Sequence, residues 1–282
     1  MKLIESFLTN NPCYKANVNK QDSRYTNFQK NGPSGLMLHS VGCAQPKASV
    51  FISTWNSASY DRACVHGFID GNDGTVYQTL PWNYRGWHGG GSSNNTHIGV
   101  EMCEPGCIKY TGGSTFTVSD KAAAQASVKK TYEAAVELFA MLCTKYGLNP
   151  LTAICSHAEG YKKGIASNHG DPEHLWKGVG LSYTMDTFRA AVKAKMSGGD
   201  TTATPTTPAE ENTTEVPFLV RISIDDLNIR KGAGTNYART GKYTGKGVFT
   251  ITEVKDGQGA DSGWGKLKSG AGWVSLDYAK KI

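Results

Sequence analysis

His97-Ile98-Gly99-Val100-Glu101-Met102 and Thr152-Ala153-Ile154-Cys155-Ser156-His157 are two short, largely apolar runs that read as buried strands. Between them lies a long helical pattern. Ser119 offers an N-cap, and Val128, Tyr132, Ala135, Val136, Phe139, Leu142 and Cys143 fall on one face. Gly147 ends the helix, and Asn149-Pro150 turns the chain toward the next strand. Working outward, Leu36-Met37-Leu38 is a third buried strand, ending at His39. A shorter helix from about Thr184 to Lys195 buries Met185, Phe188 and Val192. Strands separated by helices predict an α/β layer domain over residues 1–196.

After that domain the pattern changes. Residues 197–215 are rich in Thr, Pro, Gly and acid with nothing to bury, and read as an extended acidic tether spanning roughly 25 Å as a coil. From residue 216 to 282 short apolar runs alternate with Gly-rich turns: Phe218–Ile224, Leu227–Ile229, Val248–Val254, Trp264–Leu267 and Gly272–Leu276. This predicts a small all-β barrel or sandwich.

Composition narrows the classes. A chain of 282 residues, 39% hydrophobic and 19% charged, excludes collagen-like, coiled-coil and wholly disordered proteins. No apolar run reaches the ~20 residues of a membrane helix, so no membrane insertion is expected. The start, Met1-Lys2-Leu3-Ile4-Glu5-Ser6, has an acid where a secretory signal has its apolar stretch. The expectation is synthesis in the cytoplasm without a signal peptide, and action elsewhere only after release. The net charge of +6 divides into +5 over 1–196, −4 over the tether and +5 over 216–282. Basic bodies favour anionic partners. No helix carries a basic stripe beside base-reading residues, so nucleic acid is not expected as a partner. All seven cysteines precede residue 160, with no Cys-x-x-Cys, which argues against a zinc ribbon or a disulfide framework.

Three strand ends carry metal-competent or ionisable side chains: His39, Glu101 and His157, with His169-Gly170-Asp171-Pro172 close behind. Two His and one Asp make a three-ligand zinc site with a fourth position open for water. A His taken singly is more often a hydrogen-bonded structural residue than a ligand.

The motifs in combination go further. Leu38-His39-Ser40, Val65-His66-Gly67-Phe68-Ile69-Asp70 with Asp73-Gly74-Thr75-Val76-Tyr77-Gln78, Gly86-Trp87-His88-Gly89-Gly90, His97-Ile98-Gly99-Val100-Glu101, and Ser156-His157 with Asp171-Pro172 occur in order. Over residues 1–195 this resembles the zinc-dependent N-acetylmuramoyl-L-alanine amidases of the T7-lysozyme and peptidoglycan-recognition-protein type. Asn11-Pro12-Cys13-Tyr14-Lys15 and Gly164 to Asp171 look like its phage and prophage endolysin branch.

The resemblance implies an α/β fold with a mixed central sheet flanked by helices, and a zinc at the bottom of a groove. It implies hydrolysis of the amide between N-acetylmuramic acid and the first L-alanine of peptidoglycan. It assigns His39, His157 and Asp171 as zinc ligands, and Glu101 as general acid/base, since relatives with a Tyr before the His66 position differ from this chain, which has Val65. His169 stands where many relatives have an oxyanion-stabilising Lys; as an alternative it is the third ligand. His66, Trp87 and His88 are expected to bind substrate along the groove or to support ligands.

Leu227 to Tyr237, Trp264 to Leu267 and Gly272-Trp273-Val274 resemble bacterial SH3 domains, which implies cell-wall peptide binding with Tyr237, Tyr243, Trp264 and Trp273 as groove or core residues. The whole reads as an endolysin whose release depends on a partner such as a holin. A bacterial autolysin and a non-catalytic peptidoglycan-binding protein are the alternatives.

Overall fold

The structure is a computed structural model and describes residues 1–197, 216–255, 257–260 and 262–281. It divides into two compact units, Met1–Ala203 and Thr204–Ile282. Residues 198–215, most of the tether read from the sequence, lie outside the described residues.

The first unit runs β1 (Leu3–Glu5), α1 (Pro12–Val18), α2 (Ser23–Asn31), β2 (Gly35–Ser40), α3 (Ala48–Trp55), β3 (Gly67–Ile69), β4 (Val76–Gln78), β5 (His97–Met102), β6 (Ile108–Gly112), β7 (Thr115–Val118), α4 (Lys121–Tyr146), α5 (Pro150–Ala153), β8 (Ile154–Ser156), α6 (His157–Lys162), α7 (Glu173–Gly178) and α8 (Met185–Met196). Six strands form one sheet in the order β1-β4-β3-β5-β2-β8. Only β3 and β4 pair antiparallel, so the sheet is mixed. β2 lies between β5 and β8, with Leu38 beside Val100 on one side and Ser156 on the other. Every residue of β2 is buried, as expected of a central parallel strand covered on both faces.

α4 lays Val128, Tyr132, Ala135, Phe139 and Leu142 on a core that also holds Leu36, Leu38, Val100, Trp176, Phe188 and Val192. Phe188 packs edge-on to both Tyr132 and Phe139. Two boundaries differ from the sequence reading. Asp120, not Ser119, caps α4, its side chain accepting from Ala123 N at 2.9 Å. Ser119 is instead bonded twice to the Cys107 carbonyl, through its N–H at 2.9 Å and its hydroxyl at 3.0 Å. The strand expected from Thr152 begins at Ile154, because Asn149 caps a four-residue helix with Pro150 in its first turn.

The second unit is all β: β9 (Phe218–Ile222), β10 (Asn228–Arg230), β11 (Arg239–Tyr243), β12 (Gly247–Lys255), β13 (Trp264–Leu267), β14 (Trp273–Ser275) and β15 (Ala279–Lys281). They form one sheet in the order β11-β10-β14-β13-β12-β9-β15, packed around Val220, Ile222, Leu227, Ile229, Ile251, Leu267 and Val274. Trp264 and Trp273 are buried, whereas Tyr237 and Tyr243 are exposed.

Phe188 is fully buried at the meeting of α4 and α8. Phe188→Ala is expected to destabilise the first unit by about 3–5 kcal/mol, read as a lower urea midpoint of its unfolding transition. A shift under 1 kcal/mol would contradict this account of the core.

Candidate active site

Parallel pairing brings the polar residues to one edge. β2, β5 and β8 all run the same way, so His39, Glu101 and His157 leave the sheet at its carboxyl ends, where open α/β layers hold ligands. His157 opens α6. Ser156 caps that helix, its Oγ accepting from Glu159 N at 3.0 Å, while Glu159 Oε2 accepts from Ser156 N at 3.2 Å. Asp171 arrives from the following loop, and its Oδ2 accepts from Ser40 N at 3.3 Å.

His39, His157 and Asp171 converge. His39 Nδ1 is 3.0 Å from His157 Nδ1 and 3.3 Å from Asp171 Oδ2, and His157 Nδ1 is 3.6 Å from Asp171 Oδ1. Their residues are only 1%, 5% and 7% exposed. A tetrahedral centre with bonds of about 2.0–2.1 Å separates neighbouring ligand atoms by about 3.3–3.4 Å. The separations lie close to that value, with His39 facing one carboxylate oxygen of Asp171 and His157 the other, and imidazole with carboxylate is a zinc-compatible donor set. Among the described residues no other group of three His, Cys, Asp or Glu side chains is close enough to hold a metal ion.

The tautomer of His39 is determined by its neighbours. His88 Nε2 is 3.0 Å from the His97 carbonyl, which can only accept. His88 Nδ1 therefore accepts, at 3.0 Å, from His39 Nε2. That leaves His39 Nδ1 with its lone pair turned toward His157 and Asp171, the usual arrangement of a ligating His held by an outer partner. Gly99 makes room for this relay, since a Cβ there would lie 2.2 Å from the His88 ring.

Glu101 pairs with His39 across β2 and β5. Its Oε2 is buried and has no hydrogen-bond partner among the described residues. Burial, with the negative charges of Asp171 and Glu104 behind it, holds the carboxyl well above the usual carboxylate range. Burial also pushes the Asp171 carboxyl up, but bonding and charge from His39 and His157 outweigh it and leave Asp171 below its ordinary value. Two acids a few residues' width apart are thus driven in opposite directions, a pattern of acid/base sites.

Glu101, His157 and Asp171 line a cavity of about 800 Å³, together with Trp87, His88 and His169, and His39 lies buried against them. The His169 ring centre is 4.3 Å from that of His157, and its Nδ1 is turned to Ser167 Oγ at 3.1 Å. Trp87 both borders the cavity and packs on the Cys13–Cys64 cluster, with its indole N–H donating to Tyr25 Oη at 3.1 Å. His66 corrects the sequence expectation. It is fully buried, 2.8 Å from the Tyr84 carbonyl and accepting from Gly99 N at 3.1 Å, and it takes no part in the cavity wall. Its place behind β5 reflects strand alternation after Val65, which a motif match cannot orient.

Sequence reasoning missed part of the wall. Glu104 is fully buried, accepting from Gly42 N at 3.0 Å and from Tyr110 Oη at 2.7 Å, and Tyr110 Oη is also 2.7 Å from His174 Nε2. Arg62 and Ser167 border the cavity as well. Tyr110 and His174 lie on a hairpin and a helix far apart in the chain, and no local pattern joins them.

Residues 29–174 match the family model described as N-acetylmuramoyl-L-alanine amidase. The chain belongs to this amidase family. Solved structures similar to it include Staphylococcus aureus hydrolase AmiA in complex with its ligand, at 22% identity over 71% of this chain and 87% of that one, with a TM-score of 0.50. A mutant endolysin from Bacillus subtilis is 19% identical over 68% of this chain and 99% of that one, with a TM-score of 0.44. The likeness to AmiA, at 22% identity, is one of fold, and agrees with the mixed sheet and its helices. No curated protein sequence matches the chain. No helix among the described residues is long and apolar enough to cross a membrane.

Burial lowers His66, His97 and His157 each to about 4 from 6.5. In that window the unfolded chain binds protons that the folded amidase does not, so folding stability falls as pH drops from 6.5 toward 4. Urea midpoints of the metal-free protein across this range should decline by about 1 kcal/mol per pH unit for each fully buried ring. A flat profile would contradict the burial of neutral His66.

Proposed function

We propose that residues 1–196 form a zinc-dependent peptidoglycan hydrolase that cuts the amide between N-acetylmuramic acid and L-alanine of the stem peptide. The observation that carries the reading is the buried triangle of His39, His157 and Asp171 at the floor of a cavity, beside a Glu101 with an unpaired carboxyl oxygen.

The donor set fits zinc, which would supply a Lewis acid for the scissile carbonyl and a water of lowered pKa. His39 and His157 would bind it through Nδ1 and Asp171 through its carboxylate. Glu101 is the general acid/base. Burial pushes its carboxyl well above the usual range, and a cation at the neighbouring ligands would pull it back down, so that one group can both take the proton of the attacking water and return it to the leaving alanine amine. His169 borders the same cavity and stabilises the oxyanion through a ring N–H. Trp87 offers an aromatic face to the sugar.

We further read the chain as a phage or prophage endolysin. Residues 216–282 act as a bacterial SH3 domain that holds wall peptide through the exposed Tyr237 and Tyr243, residues 197–215 tether it, and a holin-like partner releases the protein from the cytoplasm. The all-β sheet of the second unit supports that assignment.

Digestion of purified peptidoglycan is expected to expose N-terminal alanine without new reducing sugar, to stop on chelation and to resume with zinc. New reducing sugar would contradict the bond assignment, and activity indifferent to chelation would contradict the metal. Glu101→Gln is expected to lower kcat by about 10²–10⁴-fold while the zinc content stays at one per chain. A kcat within a factor of a few of the wild type would remove Glu101 from the proton transfer.

A further inference from the structure

We infer that Ser167 is a positioning residue whose single hydroxyl fixes the ring proton of both His157 and His169, so that the metal ligand and the oxyanion-stabilising imidazole are oriented by one group. The inference rests on the reading of His157 as a metal ligand.

Ser167 lies in the loop between α6 and α7, and that loop is fastened to the Gly-rich turn before β5. Ser167 N donates to the Gly89 carbonyl at 2.8 Å, and Ser93 N donates to the Ile165 carbonyl at 3.0 Å. The close approach requires glycine. Gly90 has a φ of +67°, and a Cβ on it would lie 2.6 Å from Ser167 Oγ.

Ser167 Oγ has three polar neighbours: the Gly89 carbonyl at 3.3 Å, His157 Nε2 at 3.2 Å and His169 Nδ1 at 3.1 Å. A hydroxyl brings one proton and two lone pairs. The Gly89 carbonyl already accepts from Ser167 N at 2.8 Å, so the hydroxyl gives its proton to the nearer His169 Nδ1 and keeps a lone pair to accept from His157 Nε2–H. The reverse allocation, with the hydroxyl donating to His157 Nε2, would put the ring proton on His157 Nδ1. That atom is 3.0 Å from His39 Nδ1 and 3.6 Å from Asp171 Oδ1, and a proton there would block the ligand lone pair.

Two consequences follow from this one oxygen. His157 carries its proton on Nε2 and presents Nδ1, as His39 does through His88. His169 accepts on Nδ1, so its ring proton sits on Nε2, the atom left to meet the oxyanion. The two ligand rings are therefore held differently. The His39 partner is a second buried ring braced on a strand carbonyl. The His157 partner is a hydroxyl on a loop, shared with a ring that is exposed to the cavity.

The test combines nitrogen-15 imidazole spectra of the zinc-loaded wild type with zinc affinity and steady-state kinetics of Ser167→Ala. In the wild type, His157 should carry its proton on Nε2, and neutral His169 should likewise carry its proton on Nε2. In Ser167→Ala, zinc affinity measured by chelator competition should fall about 10–100-fold, the usual effect of losing an outer partner of a ligating His. At saturating zinc, kcat should remain depressed with KM little changed, because His169 has lost its anchor. A wild-type His169 protonated on Nδ1 when neutral would overturn the inference, and this reading needs no variant to fold. Unchanged zinc affinity and kcat in Ser167→Ala would overturn it as well. Wild-type protein that binds no zinc would instead overturn the metal reading beneath it, and the inference with it.

Discussion

Two imidazole nitrogens 3.0 Å apart, with carboxylate oxygens at 3.3 and 3.6 Å, are the constraint around which the first unit is arranged. Three lone-pair donors packed this tightly in a nearly dry position repel one another unless a positive charge sits among them. Burial pushes the His157 imidazolium down to about 4, so a proton is a poor source of that charge near neutrality. A metal ion is a better one. The surrounding bonds hold the donors together in advance: the buried ring and strand carbonyl behind His39, the capped start of α6 under His157, and the Ser40 amide on Asp171.

The same edge tolerates an expensive acid. Glu101 is half-buried with one buried oxygen unpartnered, and its neighbours Asp171 and Glu104 are also acidic. For stability alone, a neutral side chain would serve better there. A perturbed carboxyl in a cavity is what a proton-transfer site needs, and the cost is carried by the continuous core under it, from Leu36 and Val100 to Phe139 and Trp176.

Much of this was legible in the chain, and the reasons differ by element. β5 was readable to the residue because His97 to Met102 is an unbroken parallel strand with little to compete with it, and α8 because Thr184 is a strong N-cap before a clean apolar face. β1, β4, β11 and β15 were not, being three to five residues long, short of apolar side chains or lying at a sheet edge, so pairing rather than composition makes them strands. In the site, motifs named His39, His157, Asp171 and Glu101, but they could not orient rings. His66 was expected to line the groove or to support ligands, and it lies outside the cavity wall with its ring beside that of His88. Ser167 drew no notice, because its meaning depends on a Gly-rich turn some 80 residues earlier touching it. The Glu104–Tyr110–His174 chain was invisible for the same reason.

The central claim is that His39, His157 and Asp171 form one metal centre. X-ray absorption at the zinc edge of the zinc-loaded full chain tests it most directly. The account predicts one zinc per chain, two imidazole nitrogens and the remaining ligands oxygen, with no sulfur. A sulfur shell, which would point to one of the seven cysteines, or a zinc bound by oxygen alone, would contradict it.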